Sequence, residues 1–554
     1  MKTGNNTDSL RNETDMGVEP STNVPPSASP RSHIPPWKWV STCIALYLGA
    51  LLYGLDTTIA ADVQAQVYED LGHIENLQWV GLGFPMASAA TILTFTRAYG
   101  LFNVKTLVLS SVFVFEVGRV IAGIGGAGMY LGALTYISMF TKRSETPLYN
   151  ALIGLSWGVG SILGPVVGGA LSESSATWRW AFYINLPLAA ILSPVYFLLF
   201  PSRDARPDLT FREKVNQIDW VGAFLNAAVF VLFMIALSFS GSTYAWSSAG
   251  SIVLWIMFGL CLVAYILQQV FSISTTDEYR IFPVHFLQSR IMVLLYLATA
   301  GASAAQAITL YYTPLFFQFT RGDTALRAAV RLLPFICTYI LFVMAAGGSL
   351  PVFGRYHLYY LVGGVLIVIG SSLLFTMETN ISTGKIYGYE VLVAAGIGLA
   401  WQNAYSVAIA KVSSVKEVPK ALGFINLAQI GTVSISLAIA GSLFQNLGYH
   451  ELKNAFAKSG HDFPDNYIRS ALAGRISPVF SSAEEGVVNI ATEAVAETIR
   501  KMFGQAIAAG ALVIVSSLLM KFEKVDLGIV AARTRWEKSK KASSIPNRES
   551  ITVV

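Results

Sequence analysis

Apolar residues run in long uninterrupted blocks along this chain, and polar residues are gathered into short stretches between them. A bilayer core of about 30 Å needs roughly 20 apolar residues per α-helix. Runs of that kind lie near 38–60, 77–96, 149–170, 180–200, 218–240 and 250–272. More follow near 292–317, 328–350, 357–377, 386–410, 421–445 and 503–521. These twelve predict an all-α polytopic membrane protein. A further apolar block, 104–141, is too long for one helix.

Lysine and arginine set the expected orientation, because short basic loops stay in the cytoplasm. Lys142 and Arg143 mark one inner loop, Arg203, Arg206, Arg212 and Lys214 a second, and Lys411, Lys416 and Lys420 a third. The tail with Lys521, Lys524, Arg533, Arg535, Lys538, Lys540 and Lys541 marks a fourth. The loop 61–76 carries Asp62, Glu69, Asp70 and Glu75 but no Lys or Arg, which suits the outside. The pattern closes with both termini inside and fourteen spans, two of them within 104–141. At about 1.5 Å per residue, two spans there would leave no loop between them. Glu116, Gly118 and Arg119 would sit at a crowded turn, so the hairpin reads as shortened.

The segments follow. Residues 1–36, rich in Ser, Thr, Asn and Pro, are expected to form a disordered cytoplasmic tail and lack the pattern of a signal peptide. A first helical bundle covers 37–203, two linking spans with cytoplasmic loops 204–290, and a second bundle 291–445. An outer loop follows at 446–502, the last span at 503–521 and a basic cytoplasmic tail at 522–554. Apolar residues at helical spacing (Val487, Ile490, Ala494, Val495, Ile499) make 482–502 either an interfacial helix or a solvated loop. The sequon at Asn380 falls outside and is expected to carry a glycan, whereas those at Asn5 and Asn12 fall inside. An internal echo supports two halves: Ala122-Gly-Ile-Gly precedes Glu145-Thr-Pro147, and Ala395-Gly-Ile-Gly precedes Glu417-Val-Pro419.

Composition sharpens this picture. Of 554 residues, 54% are hydrophobic and only 13% charged, against about 25% charged in ordinary soluble domains. Most of the surface must therefore face lipid. The net charge of +5 comes with no basic patch interleaved with aromatics, so nucleic acid is not an expected partner. Cys43, Cys261 and Cys337 have no paired spacing, and the six His residues show no metal spacing. No phosphate-cradling loop is present, so ATP is not the expected energy source, no cofactor is expected, and enzyme activity is disfavoured.

Mechanism is sought in polar groups stranded in apolar helices. Asp56 lies within the first span; an ionised carboxylate there costs at least about 2.5–3.5 kcal/mol. It therefore binds protons or docks helices, or else serves a purely structural hydrogen bond. Arg119 opens Gly118-Arg-Val-Ile-Ala-Gly-Ile-Gly, where a buried guanidinium would favour ionisation of a nearby carboxylate; the alternative is an Arg reaching to the interface. Gly160, Gly164 and Gly168 recur every four residues, with Pro165 and Gly169 beside them, giving a smooth face on which another helix could pack and pivot. Trp157, Gln306, Tyr311, Tyr312, Gln318, Trp401, Gln402, Asn403, Asn426 and Gln429 are candidates for lining a substrate cavity, or for bonding helices together.

Four stretches carry a resemblance. They are Leu55-Asp-Thr-Thr-Ile, Gly118-Arg-Val-Ile-Ala-Gly-Ile-Gly, Gly160-Ser-Ile-Leu-Gly-Pro-Val-Val-Gly-Gly169 and Trp178-Arg-Trp-Ala-Phe-Tyr-Ile-Asn-Leu-Pro187. From Trp37 to about Lys524 the chain resembles the fourteen-span drug:proton antiporters of the major facilitator superfamily, and among them fungal efflux pumps for toxins and other secondary metabolites. The resemblance implies two six-helix bundles with two extra central spans. It also implies a monomer in the plasma membrane, or in a vacuole or vesicle membrane, exporting small, largely apolar molecules by alternating access against a proton gradient. It associates Asp56 and Arg119 with proton coupling and the Gly-Pro helix with the direction of exchange. Two departures stand out. Gly100 and Leu101 replace the acidic and basic residues of the usual cytoplasmic latch, and about a dozen residues near Gly118 are missing. Uptake of iron–siderophore complexes and a transport-dead membrane sensor remain the alternatives.

Overall fold

The computed structural model describes residue 31 and residues 33–525, apart from 72–76, 116–118, 173, 176, 242, 413, 476, 482 and 483. The expectations for 1–30, for 526–554 and for Glu116 and Gly118 at the hairpin turn fall outside those residues. Among the described residues, fourteen helices exceed ten residues. The first six are α1 (Pro36–Leu71), α2 (Leu77–Tyr99), α3 (Val104–Phe115), α4 (Arg119–Phe140), α5 (Thr146–Ser172) and α6 (Trp180–Leu199). Two linking helices follow, α7 (Trp220–Phe239) and α8 (Ala249–Val270). The last six are α9 (Arg290–Arg321), α10 (Leu326–Phe353), α11 (Tyr356–Phe375), α12 (Thr383–Lys411), α13 (Val418–Lys458) and α14 (Glu485–Leu519). Twelve of these are long and apolar enough to cross a membrane. α2, at 23 residues, has the length as well.

α3 does not. Its 12 residues extend about 18 Å, well short of a bilayer core. Among the described residues, the crowding legible in 104–141 thus shows on α3, while α4 keeps 22 residues. α3 ends beside Gly125 of α4, where a Cβ would stand 2.5 Å from Ser111 O. That point is six residues, or about 9 Å, into α4.

The first six helices and the last six pack as separate bundles that meet along two seams. In one seam α5 lies against α10: a Cβ at Gly158 would stand 2.9 Å from the Tyr339 ring, and one at Gly347 2.5 Å from Ala151. In the other, α2 lies against α13, and Ser434 Oγ donates to Pro85 O at 2.9 Å. α7 packs on α2, where Asn226 Nδ2 donates to Ala90 O at 2.8 Å. α8 touches α7 and is otherwise open to lipid. The link is stiffened by Asp219, which caps α7 by accepting from Gly222 N (2.8 Å) and also accepts from Gln268 Nε2 (3.0 Å) and Gln269 Nε2 (2.9 Å) near the end of α8. A buried carboxylate is tolerable only when so fully bonded.

The end that gathers Arg97, Lys142, Arg203, Lys214 and Lys411 is called inner here, following the positive-inside rule. At this end the family latch is replaced by other contacts. Arg97 Nε donates to Gln217 O (3.2 Å) and its guanidinium lies over the Tyr279 ring. Asn103 bridges to Asp204, which accepts from Lys214 Nζ at 2.7 Å. At the outer end the expected loop is largely helical. α13 continues to Lys458, and 485–502 is the first half of α14 and not a separate interfacial helix. Val487, Ala491, Val495 and Ile499 are buried there against a cap made of the end of α13 and the short turns Asp465–Ser470 and Pro478–Ser481. Lys501 Nζ bonds Glu451 Oε1 at 2.6 Å across this cap.

The stretch Trp178–Pro187 grips α1 at two heights. Trp178 Nε1 and Arg179 Nη1 donate to Asp70 Oδ2 at 2.8 and 3.0 Å. These bonds, Trp178's first and then Arg179's, hold the Asp70 carboxyl below its usual range. A lowered carboxylate keeps its contribution above its unfolded value and loses it as pH falls through the lowered one. The clamp should therefore persist at pH 5 and open only below about pH 4. Amide hydrogen exchange at the outer end of α1 should be equal at about pH 5 and pH 8 once corrected for intrinsic rates, and a few-fold faster at both in Asp70→Asn.

Candidate functional site

α5 is a two-faced helix, and its glycines explain why. A Cβ at Gly160 would overlap the Leu51 carbonyl of α1, and one at Gly164 would overlap Thr58 Oγ1 and stand 2.7 Å from Leu55 O. One at Gly168 would stand 2.9 Å from Ile59. α1 answers with Gly54, whose Cβ would overlap Trp157 O. Thr58 Oγ1 then donates to Ser161 O at 3.0 Å across the seam. The opposite side of α5 offers Gly154 and Gly158 to Gln402 and Tyr339 of the other half, and Gly169 meets Leu326 with ordinary contact at 3.4 Å. Pro165 lies within the same helix. Backbones can approach this closely only where side chains are absent.

Between the two halves this arrangement places an aromatic cluster. Trp157 and Trp401 stand edge to face with centroids 4.7 Å apart, and Tyr339 lies 5.7 Å from Trp401. Such pairs contribute about 0.5–1.5 kcal/mol each beyond their buried area. Trp401 Nε1 donates to Ser303 Oγ (2.8 Å), Gln402 Nε2 to Asn150 O (2.8 Å) and Tyr405 Oη to Gln429 Oε1 (2.5 Å). Tyr130, stacked on Tyr53 at 5.3 Å, points its hydroxyl at the same Gln429 oxygen. Trp157 Nε1, Tyr339 Oη, Gln402 Oε1, Gln429 Nε2 and Gln306 Oε1 find no hydrogen-bond partner among the described residues. Each such atom costs about 1–3 kcal/mol when buried. A ligand that enters here with matching donors and acceptors recovers that cost.

The cluster is buried. Trp157, Trp401, Gln402, Asn403, Asn426 and Gln429 are each at most 4% exposed. Two recesses, of about 340 and 450 Å³, lie at the ends of the molecule and not here: one beside Asn380 and Arg500, the other beside Arg355 and Lys524.

Residues 46–429 match the Major Facilitator Superfamily. The chain belongs to that superfamily. It is 37% identical over 511 residues to the MFS-type transporter patC of Penicillium expansum, covering 89% of this chain and 93% of that one. It is likewise 37% identical over 505 residues to the efflux pump DEP3 of Fusarium langsethiae, covering 88% and 90%. Among solved structures, a double-tryptophan mutant of XylE shares the fold with a TM-score of 0.50 at 13% identity, covering 90% of this chain and 99% of that one. The protein is therefore a multi-pass facilitator, a transporter related to fungal efflux pumps, and not an enzyme.

In this facilitator the other sequence candidates separate. Asp56 is buried at 3% exposure and accepts from Asn185 Nδ2 at 3.0 Å, so two of the signature stretches meet through it. Arg119 is the first residue of α4, and its side chain lies outside the described residues. Tyr312 is buried and Tyr311 is 40% exposed; both stand on α9 with Gln318, which lies about 22 Å along the axis from Ser303 and does not join the cluster. Asn380 is exposed in the outer turn between α11 and α12. The echoed glycines fall on the fourth helix of each half: Gly123 and Gly125 wedge between α2 and α3, Gly396 and Gly398 between α11 and α10. Tyr53, Tyr130, Asn150, Ser303, Tyr339 and Tyr405 complete the cluster but were not singled out by sequence. Their signal, a polar group within an apolar run, was present, but nothing local distinguishes it from ordinary helix bonding.

Proposed function

We propose that this facilitator exports small, largely apolar organic molecules, of the toxin, drug or secondary-metabolite kind, in exchange for protons. The observation that carries the reading is the buried aromatic cluster between the halves, with five polar atoms left to be matched. Flat or greasy molecules with a few polar groups fit such a lining. Alternating access would open the cluster to one side at a time as the α5–α10 and α2–α13 seams part in turn. Asp56, buried and held by Asn185, is the proposed proton carrier of the first half, with Arg119 as its electrostatic partner and the α1–α5 glycine seam as the pivot. The likeness to relatives named efflux pumps supports the outward direction, and the plasma membrane suits an exporter. A monomer suffices, since both halves of the cluster come from one chain.

The test is ΔpH-driven uptake of a panel of fluorescent apolar compounds into inside-out vesicles. Accumulation of at least one compound, abolished by a protonophore, is the expected result. Uptake that a protonophore leaves untouched would refute proton coupling. One observation favours a second reading, a transport-impaired chain: α3 is only 12 residues long. Lengthening the hairpin after Gly118 by about a dozen residues separates the two, because only an impaired chain would gain transport from it.

A further inference from the structure

α12 buries a third carboxyl group, besides those of Asp56 and Asp219. Glu390 is fully buried, at 0% exposure, and neither carboxylate oxygen has a hydrogen-bond partner among the described residues. Asp219 is buried too, but it accepts four or more bonds. Glu390 has no such cage. An ionised carboxylate so placed would cost many kcal/mol, so a group in this setting sheds its charge by holding a proton.

Its surroundings offer no cation. Around Glu390 the outer part of α12 (Thr383–Ala400) packs on α9, α10 and α11, while its inner end beyond Trp401 meets α5 and α13. Phe317 of α9 meets Tyr387 of α12, and Ser303 accepts from Trp401, which fixes an antiparallel register with Thr313–Pro314 opposite Glu390. Gly370 of α11 packs on Tyr389 O and Val393, so Ser371 stands at the same height. Thr313 Oγ1 and Ser371 Oγ are themselves buried without partners among the described residues. The charged groups of these helices sit at their ends. On α9 they are Arg290 and Arg321; on α10, Arg327 and Arg331; on α11, His357; and on α12 itself Lys385, exposed near its outer start, and Lys411 at its inner end. The other titratable groups are Cys337 and the phenols of Tyr296, Tyr311, Tyr312, Tyr339, Tyr356, Tyr359, Tyr360, Tyr387, Tyr389 and Tyr405, none of which can carry a positive charge. Arg321 donates to Ile381 O, and Arg331, ion-paired with Asp323, reaches Thr383 Oγ1 at 3.5 Å. Both therefore rim the outer start of α12, about 10 Å from Glu390. Trp401 lies about 16 Å further in on the same helix.

We infer that Glu390 is a second proton-binding site, in the C-terminal half, loaded from the outer side and discharged when α12 moves relative to α9 and α11. The ligand is a proton; the hydroxyls of Thr313 and Ser371 stand at the same height on α9 and α11, outside hydrogen-bond reach of the carboxyl in this arrangement. The role in coupling rests on the proton-exchange reading above; the site itself does not.

The experiment is infrared difference spectroscopy of the full chain in lipid nanodiscs between about pH 5 and about pH 9, on the wild type, Glu390→Gln and Glu390→Asp. A protonated-carboxyl band that titrates in the wild type, disappears in Glu390→Gln and persists at a shifted pH in Glu390→Asp is expected. A band that never titrates, or one that survives in Glu390→Gln, overturns the inference. In vesicles loaded with rhodamine 6G, Glu390→Gln should lose at least about fivefold of ΔpH-driven accumulation while retaining rhodamine counterflow; unchanged accumulation overturns the coupling role. If the wild type moves no dye from the panel, the transport reading has failed and the spectra still decide the site.

Discussion

Gly160→Val should remove most of the folded, transporting protein, whereas Gly348→Ala should leave it intact. At Gly160 even a Cβ overlaps the Leu51 carbonyl and would stand 2.8 Å from its carbon and 2.9 Å from Leu55 N. Those are backbone atoms of a buried helix and cannot rotate away, so α1 and α5 must part. Overpacking of this kind costs about 1–3 kcal/mol where side chains can yield, and here they cannot. Parting these helices also breaks the Thr58–Ser161 bond and shifts Trp157 against Trp401. At Gly348 a Cβ meets nothing within 4 Å, which makes it a control for inserting a methyl group into a span. Thermal unfolding in nanodiscs and the fraction of monodisperse protein measure the contrast. Equal stability for both variants would show that the α1–α5 seam is looser than its geometry.

Asp56→Asn should abolish coupled accumulation without unfolding the chain. The amide oxygen that replaces the carboxylate can still accept from Asn185 Nδ2, so the contact at 3.0 Å survives in kind. What disappears is the exchangeable proton. Accumulation of a panel dye in inside-out vesicles should fall to the level seen with protonophore, a loss of at least about tenfold. Counterflow, which needs alternating access but no net proton movement, should continue. Loss of both activities with a normal elution profile would instead assign Asp56 to helix docking. Asn185→Leu completes the test by leaving the Asp56 carboxylate without that amide donor.

The spans themselves were open to reading because lipid imposes one rule on every residue of a helix. The i, i+4, i+8 glycines of α5 were equally legible, and the structure sets that face against α1. What sequence could not supply was pairing across distance. Asn185 was quoted within a signature stretch, but its bond to Asp56 spans 129 positions, and no periodicity encodes that. The outer cap was misjudged for a related reason. Its helices are held by cross-chain contacts such as Lys501–Glu451, and a polar helix that protrudes from a membrane has the composition of a loop. Counting residues 104–141 showed that the hairpin was short, but the shortage could have been shared. α4 kept its length because its glycines and buried aromatic neighbours commit it to α2 along a full face. Glu390 was passed over among the polar residues of the same apolar run.

The brevity of α3 reaches beyond the protein into the lipid around it. A helix of about 18 Å cannot match acyl chains that span about 30 Å, so the leaflet beside it must dimple or a neighbouring molecule must fill the notch. Phe113, near the end of the described helix, is 75% exposed. The side that carries α3 then suits a thinner bilayer than the longer helices do. A transporter built so unevenly would rest tilted, and would sense the thickness of the membrane in which it is placed.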